Sequence, residues 1–295
     1  MAASVEFVVD PPLTVRVVGW VLGGAALGTV SGLVPGLHAN NFALLLAGVA
    51  PSVPGPPLLV GCAMLAAGVV HTFLNAVPAM ALGVPDAEMA AAALPGHRLL
   101  LDGRGHEAIR LSALGSLLAV LAAAPLAIPI TRAVTAAYPT VRSHLPLLLA
   151  LVALGLVASE RSRPARIGGA LSFALAAALG AATLDLSPEA PLDAGGMLAP
   201  LFAGLFGAPV LIDAIRGGGI PPQDGGEIRT SRAFVGVSAL AGALAGAVVG
   251  YVPGISAAIA AVAVLALFPG GPTDRGYVVA TSGVDTANAV FVVAW

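Results

Sequence analysis

Apolar stretches of spanning or near-spanning length recur along this chain, at about 13–34, 57–83, 109–131, 145–159, 167–184, 197–215 and 233–252. Two shorter ones, about 37–50 and 255–268, each follow a proline break, and a last one, about 276–295, runs to the end of the chain. A straight helical crossing of the hydrocarbon takes roughly 20 residues. The full-length stretches therefore read as transmembrane helices. The shorter ones read as half-helices, re-entrant arms or tilted helices buried in protein. This pattern predicts an all-α, polytopic integral membrane protein with about 8–10 apolar helical segments.

The alternative, a large soluble core, needs a charged shell. Only 9% of these residues are charged, against roughly a quarter in soluble domains. The net charge of -2 supplies no basic field for nucleic acid. Cys62 is the single cysteine and lies in an apolar run, which leaves no intrachain disulfide and no zinc cluster. The N-terminus, MAASVEFVVDPP, lacks the basic region and cleavage site of a removable signal peptide.

Arginine placement sets the expected orientation. Arg98, Arg104 and Arg110 share one loop, Arg161, Arg163 and Arg166 another, and Arg216, Arg229 and Arg232 a third. Even numbers of spans separate these loops, so 97–110, 160–166 and 216–232 are expected together on the cytoplasmic side. The loop at 185–196 carries Asp185, Glu189 and Asp193 without Arg or Lys and falls outside. Arg132 and Arg142 flank a second outside loop and are a mild exception to the rule.

Two places interrupt the apolar pattern in the same way. Residues 28–37, GTVSGLVPGL, share with 246–255, GAVVGYVPGI, a skeleton of Gly, three residues, Gly, two residues, Pro-Gly and an aliphatic residue. Asn75-Ala76-Val77 also matches Asn288-Ala289-Val290. The ordered pair of matches predicts an internal repeat. An odd number of spans between the repeat starts makes it an inverted one, the architecture of many secondary transporters. The chain then divides into a first repeat (1–131), connecting helices (132–232) and a second, incomplete repeat (233–295).

Pro35 and Pro253 each remove a backbone donor, and Gly36 and Gly254 permit backbone angles other residues resist. Polar backbone freed at such breaks must be buried in protein or line a water-filled cavity. The half-helix that follows presents free N–H groups, an anion site suited to a carboxylate or phosphate. The candidate substrate-binding residues are therefore Gly36, His38, Asn40, Asn41, Asn75, Gly254, Ser256 and Asn288. An ionisable group within a span is costly and suggests function. Asp285, with Thr286, His71 and Thr72, is the candidate coupling set for Na+ or H+; no other cofactor and no metal are expected. The run LPGHRLLLDGRGHEAIRLSALGSLLA, residues 94–119, holds a tight turn at Asp102-Gly103 and Gly105. It reads either as a loop with positive-inside anchors or as a gating or coupling loop.

Taken together these residues resemble the large membrane subunit of the tripartite tricarboxylate transporters. That family's G-x-x-x-G-x-x-P-G-[LI] motif is matched by Gly28, Gly32, Pro35, Gly36 and Leu37. Its Asp-Gly loop and small-residue helix are approximated by Asp102-Gly103, Gly105, Glu107-Ala108 and Ser112 to Ser116. Its second Pro-Gly motif, followed by an acidic residue before Asn-Ala, is similar to Pro253-Gly254 and Asp285 to Ala289. The likeness covers about 20–120 and 240–295. It implies a secondary carrier for carboxylates driven by sodium or protons, served by an extracytoplasmic binding protein and a small membrane subunit. Family members are typically longer. Here the second repeat ends at Trp295, seven residues beyond Asn288, so either the chain is a C-terminally truncated form or its second repeat is degenerate. The expected function is a permease subunit taking up a small organic anion. The alternative is a lipid-carrier flippase or a non-transporting membrane protein of the same fold. An intramembrane hydrolase built on Ser31 and His71 is disfavoured, because no convincing set of partner residues accompanies them.

Overall fold

A computed structural model describes residues 10–34, 56–83, 90–186, 219–252, 254–267 and 273–294, with isolated positions between 197 and 215. Its described helices are α1 (Pro11–Leu33), α2 (Pro57–Leu74), α3 (Ala76–Leu82), α4 (Ala90–Leu101), α5 (Gly105–Ser143), α6 (Leu145–Ser159), α7 (Arg163–Thr183), α8 (Arg232–Tyr251), α9 (Ala257–Leu265) and α10 (Asp274–Ala294). Five helical stretches are long and apolar enough to cross a membrane: α1, α2 with α3, α5, α7 and α8. The protein is a polytopic, all-helical membrane protein.

One sequence expectation is refined and another changes. The stretch 57–83 is a single apolar span in which one ladder bond is missing, because Pro78 has no N–H to give the Leu74 carbonyl. Asn75, between α2 and α3, keeps helical angles, and its N and O still pair with His71 O and Ala79 N. The supposed outside loop between Arg132 and Arg142 is also helical. α5 runs unbroken for 39 residues through Pro125, Pro129 and Pro139. At 1.5 Å per residue it is about 58 Å long, well beyond a hydrocarbon core of roughly 30 Å.

Small residues fix which helices meet. On α1, a Cβ at Gly24 would run into the Ala63 carbonyl and one at Gly28 into that of Ala67; at Gly32 it would lie 2.9 Å from the His71 carbonyl oxygen. Both series rise together, so α1 and α2 are parallel and in backbone contact, the small-xxx-small packing of membrane helices. α8 repeats the device against α10. A Cβ on Gly242 would lie 2.6 Å from the Ala280 oxygen, on Gly246 2.8 Å from the Val284 oxygen, and on Gly250 3.1 Å from Phe291 Cβ. Gly115 of α5 presses on the Val279 carbonyl of α10 in the same way.

α10 is the centre of the arrangement, touching α2, α4, α5, α8 and α9. It is also the helix whose own composition would fare worst in lipid. It carries Asp274, Arg275, Thr281, Ser282, Asp285 and Thr286, and every residue from Val278 to Ala287 is buried. Its neighbours shelter those polar groups from hydrocarbon, where each unsatisfied one costs several kcal/mol. α5 runs parallel to α10: Glu107 meets Arg275, Ser112 meets Ser282, and Ser116 meets Thr286. α2 and α3 run the other way. Asn75 meets Asp285, while Ala79 and Met80 share a buried cluster with Val278 and Val279.

Candidate functional site

The second Pro-Gly break is observed on its described flanks. α8 ends at Tyr251, Val252 is extended, and Gly254 has φ +89. This left-handed backbone favours glycine. Tyr251 is buried, stacks at a tilt on Phe291, and its hydroxyl meets that of Thr131 on α5, so the break is pinned to α5 and α10. Ser256 then caps α9, accepting from Ile259 N at 3.3 Å. α9 lies on α10, with Ala257, Ala260 and Ala261 clustered around Val284, next to Asp285. The first break begins where α1 ends at Leu33 and Val34 turns extended. Gly36, His38, Asn40 and Asn41 lie outside the described residues.

At the centre, Asn75 Nδ2 donates to Asp285 Oδ2 at 3.1 Å. Asp285 is 1% exposed and sits mid-helix in α10, where every residue from Val278 to Ala287 is buried. Asn75 stands between α2 and α3, near the one ladder bond that Pro78 removes, and faces the buried carboxylate. One turn earlier on α2, His71 is buried with Nδ1 2.9 Å from Ser31 Oγ, which in turn donates to the Gly28 carbonyl at 3.2 Å. The side-chain hydrogen bonds of two expected residues lead elsewhere. Thr72 donates to Val69 O in its own helix. Thr286 Oγ1 donates to Ser282 O at 3.0 Å and lies 2.8 Å from Ser116 Oγ. It belongs to a serine–threonine ladder, with Ser112 and Ser282 2.8 Å apart, that joins α10 to α5 on another face from Asp285. Three buried oxygens near this centre have no hydrogen-bond partner among the described residues: Thr281 Oγ1, Asn288 Oδ1 and Ser238 Oγ. Thr281 carried no sequence signal, since a threonine in an apolar helix ordinarily bonds its own backbone.

The 94–119 run forms a second polar structure at one end of the bundle. α4 closes with Gly103 at φ +76, Gly103 N donating to Leu100 O and Arg104 N to Leu99 O, the pairing of a Schellman motif. Residues 221–229 strap across this turn. Gln223 Oε1 accepts from Gly105 N at 2.7 Å while its Nε2 donates to Leu100 O at 3.0 Å, satisfying both helix ends at once. Asp224 N donates to Gly103 O, and Arg110 to Gly226 O. Beneath the strap, Glu107 is 1% exposed. It accepts from Arg275 at 2.9 and 3.2 Å and from Arg229 N at 2.7 Å, and pairs with Arg104. Arg104, Glu107, Asp224 and Arg229 border an open cavity of about 370 Å³. The arginine-rich loops 97–110 and 216–232, expected on one side of the membrane, thus meet at one end of the fold. Replacing Gln223 by Ala leaves Gly105 N without its partner and Leu100 O with Gly103 N alone. We expect a cost of about 1–2 kcal/mol, read as faster amide exchange confined to 219–230 and the α4–α5 turn.

The sequence profile of the Tripartite tricarboxylate transporter TctA family matches residues 18–294. The chain belongs to that family. That family is one of transporters and not of enzymes. An uncharacterized protein of Methanocaldococcus jannaschii is similar, 31% identical over 204 residues, which are 67% of this chain and 48% of the relative. The TctA-family chain thus spans about half the length of the curated relative it matches. No solved structure matches it. Among the described residues no group of three His, Cys, Asp or Glu side chains could hold a metal ion.

Proposed function

We propose that this TctA-family chain is a permease subunit for ion-coupled uptake of a small organic anion, with Asp285 as the ion-coupling group. The observation that carries this reading is the buried Asn75–Asp285 pair, set in the helix that its neighbours shield. A carboxylate so placed in a membrane protein is expensive unless it binds a cation or a proton. The capped start of α9 at Ser256, packed beside Val284, supports an anion site formed by Gly254, Ser256 and Asn288 next to the coupling group. Asn75 would complete it from α2, with the 36–41 segment contributing from the first break. An extracytoplasmic binding protein and a small membrane subunit are the proposed partners, as in tripartite systems generally.

The inverted repeat belongs to the same proposal. The glycine series 24, 28, 32 and 242, 246, 250 face Ala63, Ala67, His71 and Ala280, Val284, Asn288 in matching order. The α1–α2 pair runs opposite to the α8–α10 pair. In this register His71 corresponds to Asn288, one turn away from the sequence match of Asn75 to Asn288.

The test is uptake of labelled mono-, di- and tricarboxylates into proteoliposomes holding the full chain and its partner subunits, with and without a sodium or proton gradient. Asp285→Asn is expected to abolish ion-driven uptake while leaving the melting temperature in detergent within a few degrees of wild type. Unaltered ion dependence in that variant would remove Asp285 from the mechanism.

A further inference from the structure

The two Pro-Gly breaks begin alike and are held differently. α1 and α8 each end in an extended valine, Val34 at φ -89, ψ 111 and Val252 at φ -111, ψ 101. The last helical residue before that valine is Leu33 in the first case and Tyr251 in the second. Leu33 is 47% exposed and offers no polar group. Tyr251 is buried, its ring on Phe291 and among alanines of α5, α8 and α10. A phenylalanine would fill that apolar cluster as well, so packing alone does not call for the hydroxyl. A buried tyrosine hydroxyl takes a partner, and here it is Thr131 Oγ1 at 2.5 Å. Thr131 gives its one hydrogen to Ala127 O at 2.7 Å, so it accepts and Tyr251 donates. The bond ties the last residue of α8 to α5, five residues before Ser256 caps α9.

We propose that Tyr251 is the positioning residue of the second break: its bond to Thr131 fixes the angle at which the chain leaves α8, and so sets Gly254, Ser256 and the first turn of α9 in place before the transported anion arrives. This rests on the reading of the second break as part of the anion site. The chain between Tyr251 and Ser256 has little freedom of its own. Val252 is extended, and Gly254 holds a left-handed φ of +89 where a Cβ would lie 3.1 Å from Leu149 Cδ1 of α6. Ser256 is committed to Ile259 N. A turn of this kind moves as a unit with the residue that begins it, and Tyr251 is the one anchored across to another helix. Order that exists before binding is not lost on binding, which raises affinity. At the first break the matching position, Leu33, carries no group able to make such a bond, so the second break is the preformed half of the pair.

Tyr251→Phe removes the donor, keeps the ring and leaves Thr131 bonded to Ala127. Thr131→Val removes the acceptor, and Thr131→Ser keeps it. Each is compared with wild type in two measurements: uptake of labelled mono-, di- and tricarboxylates into proteoliposomes holding the full chain and its partner subunits, and amide exchange of the full chain in detergent without anion. Tyr251→Phe and Thr131→Val are each expected to raise KM for the anion by about tenfold, equivalent to about 1.4 kcal/mol and on the scale of one hydrogen bond, with the maximal rate within about twofold of wild type. The double variant should be no worse than either single one, since both remove the same bond. Thr131→Ser should stay near wild type. Amides of 252–260 should exchange faster in the two single variants, while those in the body of α8 keep their protection. A tyrosine that only stabilised the fold would lower the melting temperature, speed exchange along α8 and α5 together, and leave KM unchanged. Unaltered exchange at 252–260 in both single variants overturns the positioning role. Faster exchange there with an unaltered KM overturns the link between the break and the anion while leaving the permease reading standing. A wild type that takes up none of these anions overturns the permease reading itself, and the exchange result then still decides whether Tyr251 fixes the break.

Discussion

Glu107→Gln is expected to lower the stability of the protein by about 3 kcal/mol or more, the scale for breaking a buried ion pair from one side. The glutamate side chain is 1% exposed and joins three segments far apart in sequence: its own helix α5, the start of α10 through Arg275, and the strap through Arg229 N. Neutralising it leaves Arg275 and the mostly buried Arg104 facing one another without the charge between them. Glutamine can still accept a hydrogen bond, so shape is kept and the loss reports charge. Glu227→Gln is the control, an exposed acid in the same strap, and should change stability by less than about 0.5 kcal/mol. Thermal unfolding in detergent compares the two. Equal effects would mean that the cluster under the strap carries no weight in holding that end of the bundle together.

Gly28→Val should part α1 from α2. A Cβ there meets the Ala67 backbone carbonyl, not the movable tip of a side chain, so no rotamer change relieves the clash. Overpacking a well-filled interface costs about 1–3 kcal/mol. Here the whole helix pair must separate to accommodate it, and the expected outcome is a protein that extracts poorly and loses α1 docking. Gly23→Val is the matched control. It adds the same side chain to the same helix, at a position where a Cβ meets nothing within 4 Å. Cross-linking between cysteines introduced on α1 and α2 distinguishes them: retained in Gly23→Val, lost in Gly28→Val. Retention in both would show that the close approach of these helices is not required.

The number and placement of most spans were legible from the sequence, because the hydrocarbon fixes the length of an apolar helix independently of what it packs against. The glycine spacing of α1 and α8 was legible for a related reason: only small residues let two backbones come so close, and the spacing repeats every turn. Asp285 stood out because a carboxylate in an apolar run has no cheap explanation. Tight turns such as Asp102-Gly103 were visible because a left-handed residue calls for glycine.

What tertiary structure decided was which polar groups face one another. Nothing along the chain says that Asn75 donates to Asp285 from 210 residues away, that Thr286 turns to a serine ladder while Thr281 keeps its hydroxyl unpaired, or that Glu107 is buried under a strap beginning more than 110 residues later. The division has a physical cause. Water and lipid act on each segment alone and leave a one-dimensional record of burial and length. Hydrogen bonds between helices depend on rotation about each axis, which is set only when the helices pack.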